Sequence, residues 1–163
     1  MFWFVIHTKP RQELRALQNL QQQGYDCYLP LLPVERLQRG AVVQAQEALF
    51  PRYLFVKLDP SLQGKGWAPI RSTKGVSRLV AFGDAPARVD EALIESLQRN
   101  EQAMAARALF SVGEKVEVAD GPFAGLEALY QMSDGEMRAV VLIEMLSKPV
   151  RLAVPKSSLR RIV

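Results

Sequence analysis

Apolar and polar positions alternate with period two in several short runs of this chain and recur at helical spacing in others. The densest apolar run covers residues 49–57, Leu-Phe-Pro-Arg-Tyr-Leu-Phe-Val-Lys. Pro51 marks its start, because proline lacks a backbone N–H and sits at strand beginnings or edges. From Tyr53 the run has two faces. Tyr53, Phe55 and Lys57 lie on one; Leu54, Val56 and Leu58 lie on the other. The aliphatic face reads as core. The aromatic face needs a cover, from elsewhere in the chain or from a partner protein.

Residues 2–7 form another alternating run, with Trp3 and Val5 on one face and Phe2, Phe4 and Ile6 on the other. A strand apolar on both faces is covered on both. Pro10 is expected to open a helix over 11–23 in its first turn, and Gly24 to end it. Leu14, Leu17, Leu20 and Ala16 are its expected buried stripe. Arg11, Arg15, Asn19 and Gln22 share a different, purely cationic and polar face, with Lys9 just before it. Plain solvent exposure is the ordinary reading of such a face.

Residues 25–31 read as extended. Arg39-Gly40 reads as a hairpin turn between 34–39 and 41–47. Residues 59–69 read as a loop that carries Lys65 and Trp67. Arg71, Ser72, Thr73 and Lys74 put four phosphate-compatible donors into one turn. A strand over 76–82 follows. Asp90 then caps a helix in which Leu93, Ile94 and Leu97 recur at helical spacing.

The pattern changes after a small, helix-prone linker at 101–110. Short strand-like runs at 111–118, 126–132, 137–144 and 150–154, separated by turn residues, read as a small barrel. The expected organisation is an α/β (α+β) domain at 1–100, with an antiparallel sheet flanked by helices, and a β-barrel domain at 111–163. Residues 126–146 also support a second reading. Leu126, Glu127, Ala128, Leu129 and Met132 favour helix, whereas Val140, Val141 and Ile143 favour strand. As a helical hairpin, one arm would present Leu126, Leu129 and Tyr130, and the other Leu142, Ile143, Met145 and Leu146. Both readings stand at this level.

Charge adds a partner class. The net charge of +4 is uneven: residues 1–80 hold 11 Lys/Arg and 5 Asp/Glu, 81–100 hold 2 and 4, and 101–163 hold 8 and 8. A basic first part suits a polyanion such as nucleic acid. One Cys and one His leave no common His/Cys metal site and fit a reducing cytosol. No run approaches the roughly 20 apolar residues of a membrane span, and the start lacks a basic leader region. No enzyme is indicated. His7 stands alone, and Asp134 and Glu136 read as turn residues rather than an acid/base pair.

Four ordered motifs resemble the NusG-type transcription elongation factors: Trp3-Phe4-Val5 before a basic helix, Phe50-Pro51-Arg52-Tyr53-Leu54-Phe55-Val56, Ile70-Arg71-Ser72-Thr73-Lys74-Gly75-Val76, and a KOW-like Val112-Gly113-Glu114-Lys115-Val116-Glu117-Val118 with Asp120-Gly121-Pro122-Phe123-Ala124-Gly125. The resemblance implies an NGN-like domain that binds bacterial RNA polymerase through Phe50, Pro51, Tyr53 and Phe55. It also implies that Lys9, Arg11, Arg15, Asn19, Gln22, Arg71, Thr73 and Lys74 face the non-template DNA strand. Within the family the chain is most similar to the RfaH type, since residues 142–148 lack the Phe-Gly-Arg turn usual in the general factor. That likeness implies a KOW domain able to rest as a helical hairpin over the polymerase surface. Glu47 and Arg138 would form an interdomain ion pair worth on the order of 1 kcal/mol or less, with Leu142, Ile143 and Leu146 in the same contact. The His-Thr-Thr-Thr run of the RfaH type is absent, so contact with a second polymerase element is either lost or falls to Lys65 and Trp67. The implied further partner is a small-subunit ribosomal protein. A cytoplasmic monomer without cofactor or metal is expected. Two alternatives remain beside this one: a general factor with a permanent barrel that contacts a termination factor, and a ribosomal-type RNA-binding KOW module, against which the zero net charge of 101–163 counts.

Overall fold

The computed structural model describes the backbone of residues 1–62, 66–110 and 126–147, and the side chains of these apart from 62, 105–110 and 126–128. Lys65 and the expected KOW-like motif, with the barrel runs at 111–118 and 150–154, lie outside the described residues.

The chain begins with strand β1 (Phe2–Thr8), helix α1 (Glu13–Gln22) and strand β2 (Asp26–Tyr28). A two-stranded ribbon follows, β3 (Leu31–Gln38) and β4 (Ala41–Ala48), then β5 (Tyr53–Leu58), the short helix α2 (Ala68–Arg71) and β6 (Val76–Leu79). The two-residue strands β7 (Ala81–Phe82), β8 (Ala85–Pro86) and β9 (Arg88–Val89) lead into helices α3 (Glu91–Phe110), α4 (Leu126–Gln131) and α5 (Gly135–Ser147). The main sheet has the order β2-β5-β1-β6, with β9 also on β1, and every pair is antiparallel.

Alternation along β1 and β5 sorts the core into two layers. Phe4, Ile6, Leu54, Val56 and Leu58 pack with Ala16 and Leu20 of α1 and Ile70 of α2. Trp3, Val5 and Phe55 pack with Leu93, Ile94 and Leu97 of α3, and with Leu129, Tyr130, Ala139 and Leu142 of α4 and α5. The sheet therefore lies between two helical layers, each burying one apolar face.

Local chemistry departs from expectation at the start of α1. Pro10 is not in the helix. Gln12 N–H donates to Lys9 O at 3.1 Å and Arg11 has φ 62°, the arrangement of a type II turn with proline at its second position. Phe50-Pro51-Arg52-Tyr53 repeats it, with Tyr53 N–H to Phe50 O at 3.0 Å and Arg52 at φ 72°. At the other end of α1, Gly24 (φ 94°) donates to Gln21 O and Tyr25 N–H to Leu20 O, a Schellman closure that satisfies the last carbonyls. Leu14 is 59% exposed and not in the stripe; Ala16 and Leu20 point at the sheet, and Leu14 projects well off that direction at 100° per residue. Arg39 and Gly40, both at positive φ, make the ribbon's two-residue turn.

The segment expected as a linker, 101–110, continues α3 as helix. Glu101 ties it back: its Oε1 accepts from Tyr28 Oη–H at 2.9 Å and from Leu31 N–H at 3.1 Å. Residues 126–131 and 135–147, where strand and helix competed, are helical here.

Candidate functional site

The aromatic face of β5 is covered by the chain's own helices. Leu49 and Phe55 are completely buried, Phe50 is 1% exposed, and Tyr53 is half-buried against the same cluster. Phe50 meets Phe55 edge-on at 6.3 Å, and Tyr28 stacks on Phe55 at 6.3 Å. Leu142 is buried in this cluster, with Ile143 and Leu146 partly buried against it.

Arg138 of α5 fastens the cover. Its side chain is fully buried. Nη2 donates to Glu47 Oε1 at 3.0 Å, Nε to Leu49 O at 2.7 Å, and Nη1 to Met132 O at 2.6 Å. Ala48 O is a fourth, longer acceptor at 3.5 Å. One guanidinium thus joins the end of β4 to the α4–α5 turn. Arg36 of β3 approaches the other oxygen of Glu47 at 3.8 Å. A partly exposed interdomain pair of small worth was expected; a buried guanidinium on three backbone carbonyls is a different object, because losing its carboxylate strands a desolvated charge. Tyr130 adds a second fastening, its hydroxyl donating to Leu97 O at 3.2 Å. Burial raises the pKa of both Tyr28 and Tyr130, so both remain neutral donors.

The basic face is built at the C-terminal end of β1, where Thr8 N–H donates to Arg52 O at 2.8 Å. Lys9 N–H donates to Gly75 O at 2.9 Å, and Asn19 Nδ2 reaches Arg15 O at 2.8 Å and Lys74 O at 3.3 Å. These bonds join the end of β1, α1 and the turn after α2. Lys9, Arg11, Arg15, Gln22, Arg71 and Lys74 are exposed; Asn19 is half-exposed. Thr73 differs from expectation. It is buried, its hydroxyl donating to Pro69 O at 2.9 Å and accepting from Gln23 Nε2 at 2.8 Å, so it positions the turn rather than presenting a donor outward. Gln23, unremarked in the sequence, makes the cross-link that matters.

Trp67 also departs from expectation. It is buried in the α1–α2 layer, 5.0 Å from the Phe4 ring, with its Nε1–H on Asp59 O at 3.1 Å. A large ring adjoining an apolar layer is drawn into it rather than left on a loop. It lies on the sheet face opposite Phe50 and Phe55.

No group of three metal-capable side chains occurs among the described residues. Nor does any described helix have the length and apolarity to cross a membrane.

The NusG family model, described as transcription termination factor nusG, matches residues 1–98. The chain belongs to the NusG family. Among its relatives, the transcription termination/antitermination protein NusG of Rickettsia conorii is 30% identical over 134 aligned positions, covering 74% of this chain and 69% of that protein. The Streptomyces virginiae NusG is 27% identical over 184 positions, covering 93% of this chain and 60% of its own length. A solved structure of the domain interaction in Thermotoga maritima NusG is similar at 19% identity and a TM-score of 0.44, over 74% of this chain and 66% of that one. The family model and these relatives bear the names of transcription termination and antitermination factors.

Proposed function

We propose that this NusG-family protein is an RfaH-like antitermination factor held closed at rest. The domain at 1–100 docks on bacterial RNA polymerase through Phe50, Pro51, Tyr53 and Phe55. Lys9, Arg11, Arg15, Asn19, Gln22, Arg71 and Lys74 face the non-template DNA strand, with Thr73 setting the turn. The domain at 111–163, joined through 101–110, exchanges its helical hairpin for a barrel when released, and the barrel recruits a small-subunit ribosomal protein.

The observation that supports this reading is the burial of Leu49, Phe50 and Phe55 in one cluster with Leu129, Tyr130, Ala139 and Leu142. Large apolar patches seldom stay bare on monomers, and here the cover is helical. The cover has its own mismatch. Met137 and Val140 of α5 are exposed, and Val140, Val141 and Ile143 are strand-formers held in a helix. A segment with apolar residues left in water and unfavourable local propensity has reason to adopt another packing. The Ser133-Asp134-Gly135 turn suits either arrangement.

Far-UV circular dichroism of the full chain, of 1–104 and of 105–163 tests the switch. The full chain should carry more helix than the sum of its parts, and 105–163 alone should be β. A full-chain spectrum equal to that sum overturns it. In parallel, 1–104 should bind RNA polymerase more tightly than the full chain. Equal affinity removes the covering role of the hairpin.

A further inference from the structure

Gly135 opens α5, and its conformation does not explain its identity. It is absent from the glycines at positive φ, which among the described residues are Gly24, Gly40, Gly75 and Gly83. Asp134 caps the helix just before it, Oδ1 accepting from Glu136 N–H at 2.9 Å and the backbone carbonyl from Arg138 N–H at 3.2 Å. At such a position alanine is a better helix former than glycine. Local physics alone therefore favours a side chain here.

The tertiary surroundings forbid one. A Cβ on Gly135 would stand 2.8 Å from Pro51 Cγ, 3.4 Å from Pro51 Cδ and 3.2 Å from Arg138 Nη2. Pro51 cannot swing aside like a long side chain, since its ring is tied to the backbone and its turn is closed by the Tyr53–Phe50 hydrogen bond. Arg138 Nη2 is the nitrogen that holds Glu47. One methyl group would thus meet the patch's proline and its latch together.

We infer that Gly135 is the residue that sets closure: with no side chain, it lets the α4–α5 hairpin seat directly on Pro51 and lets Arg138 reach Glu47. The inference rests on the reading that this hairpin covers the polymerase-binding patch, and it names the contact through which that cover is regulated. Any group larger than hydrogen at 135 lifts the start of α5 and shifts the chain toward its open form.

The test uses the full chain. Gly135→Ala should lose the α4–α5 share of the 222 nm signal, whereas helix propensity alone predicts no loss or a gain. Removing the obstacle should reverse the effect: Gly135→Ala combined with Pro51→Ala should regain the helical signal. Near-UV dichroism from Trp3 and Trp67 reports that the sheet domain stays folded throughout. A Gly135→Ala chain with an undiminished helical signal overturns the inference, as does a loss that Pro51→Ala fails to restore. RNA polymerase binding is read separately. Lost helix with tighter binding supports both readings; lost helix without it overturns the covering role and leaves the Gly135–Pro51 contact standing.

Discussion

Arg138 and Glu47 stand 91 residues apart in the chain and 3.0 Å apart in space, at the only point where a described α5 side chain forms an ion pair with the β3–β4 ribbon. The arginine has no exposure and the glutamate is 30% exposed. Their bond sits among three carbonyl contacts that the same guanidinium makes. The pair is therefore a junction of backbone segments as much as an attraction between charges.

Removing only the charge of Glu47 tests that junction. Glu47→Gln keeps the shape and leaves a buried guanidinium without its counter-ion. We expect the closed form to lose roughly 2–4 kcal/mol, somewhat less than the about 3–5 kcal/mol of a fully buried broken pair, because Glu47 is partly solvated. A drop in 222 nm signal at neutral pH, or a lower urea midpoint for the α4–α5 transition, is the readout. A loss below about 0.5 kcal/mol would mean that the pair behaves as a surface one.

Arg138→Lys keeps the charge and removes the planar fork. Lysine cannot reach Glu47, Leu49 O and Met132 O together with the geometry that guanidinium provides. At least one buried carbonyl is then left unpaired, at about 1–3 kcal/mol. The variant should open nearly as far as Arg138→Ala. Closure equal to the native chain would show that charge alone suffices.

Gly75 positions the basic face. It has φ 94°, and a Cβ there would lie 2.8 Å from the backbone nitrogen of Ala16 and 3.0 Å from its Cα. Gly75→Ala combines a left-handed cost of about 1–2 kcal/mol with overpacking of about 1–3 kcal/mol. Thermal unfolding should record a loss of at least about 2 kcal/mol. A neutral substitution would mean that α1 does not pack on this turn.

Residues of the basic face should separate by salt dependence. Arg15→Ala and Lys74→Ala should each weaken binding to elongation complexes and lower the log–log salt slope by about 0.7, the value for one phosphate contact on a single strand. Thr73→Val should leave that slope unchanged, since among the described residues its hydroxyl bonds Gln23 and Pro69 alone, and should cost about 1 kcal/mol of stability instead. An unchanged slope for both cation variants removes the DNA-facing assignment.

His7 supplies the pH prediction. Burial, then the charges of Arg52 and Arg78, lower its pKa from 6.5. The unfolded chain therefore takes up a proton near pH 6.5 that the folded chain takes up only at lower pH. In that window the unfolded state binds more protons, so stability falls as pH drops and levels off below the folded pKa. It is the chain's one histidine. His7→Phe should flatten the urea midpoint between about pH 7 and that lower limit. An unaltered slope would assign the dependence elsewhere.

Much of the fold was readable from spacing. The alternation in 2–7 and 53–58 sorted β1 and β5 into their two layers, because a strand's side chains must point to opposite sides. Gly24 and Arg39-Gly40 marked turns that demand positive φ. Pro10 misled, since proline suits the second position of a type II turn as well as the first turn of a helix, and the two differ only in the residue that follows. Leu14 misled because three leucines at i, i+3 and i+6 drift off a single stripe.

What the sequence determined by itself is the sheet, its two apolar faces, the basic segment beside α1 and the presence of an aromatic face that required a cover. These follow from backbone periodicity and local charge, which act over a few residues. Tertiary structure decided what covers that face, that Trp67 and Thr73 turn inward, and that Gly135 must stay bare beside Pro51. Each depends on the approach of segments 40 or more residues apart, or on a helix whose local propensities oppose one another. In residues 126–147 those propensities nearly cancel, so packing against Phe50, Phe55 and Glu47 sets the outcome.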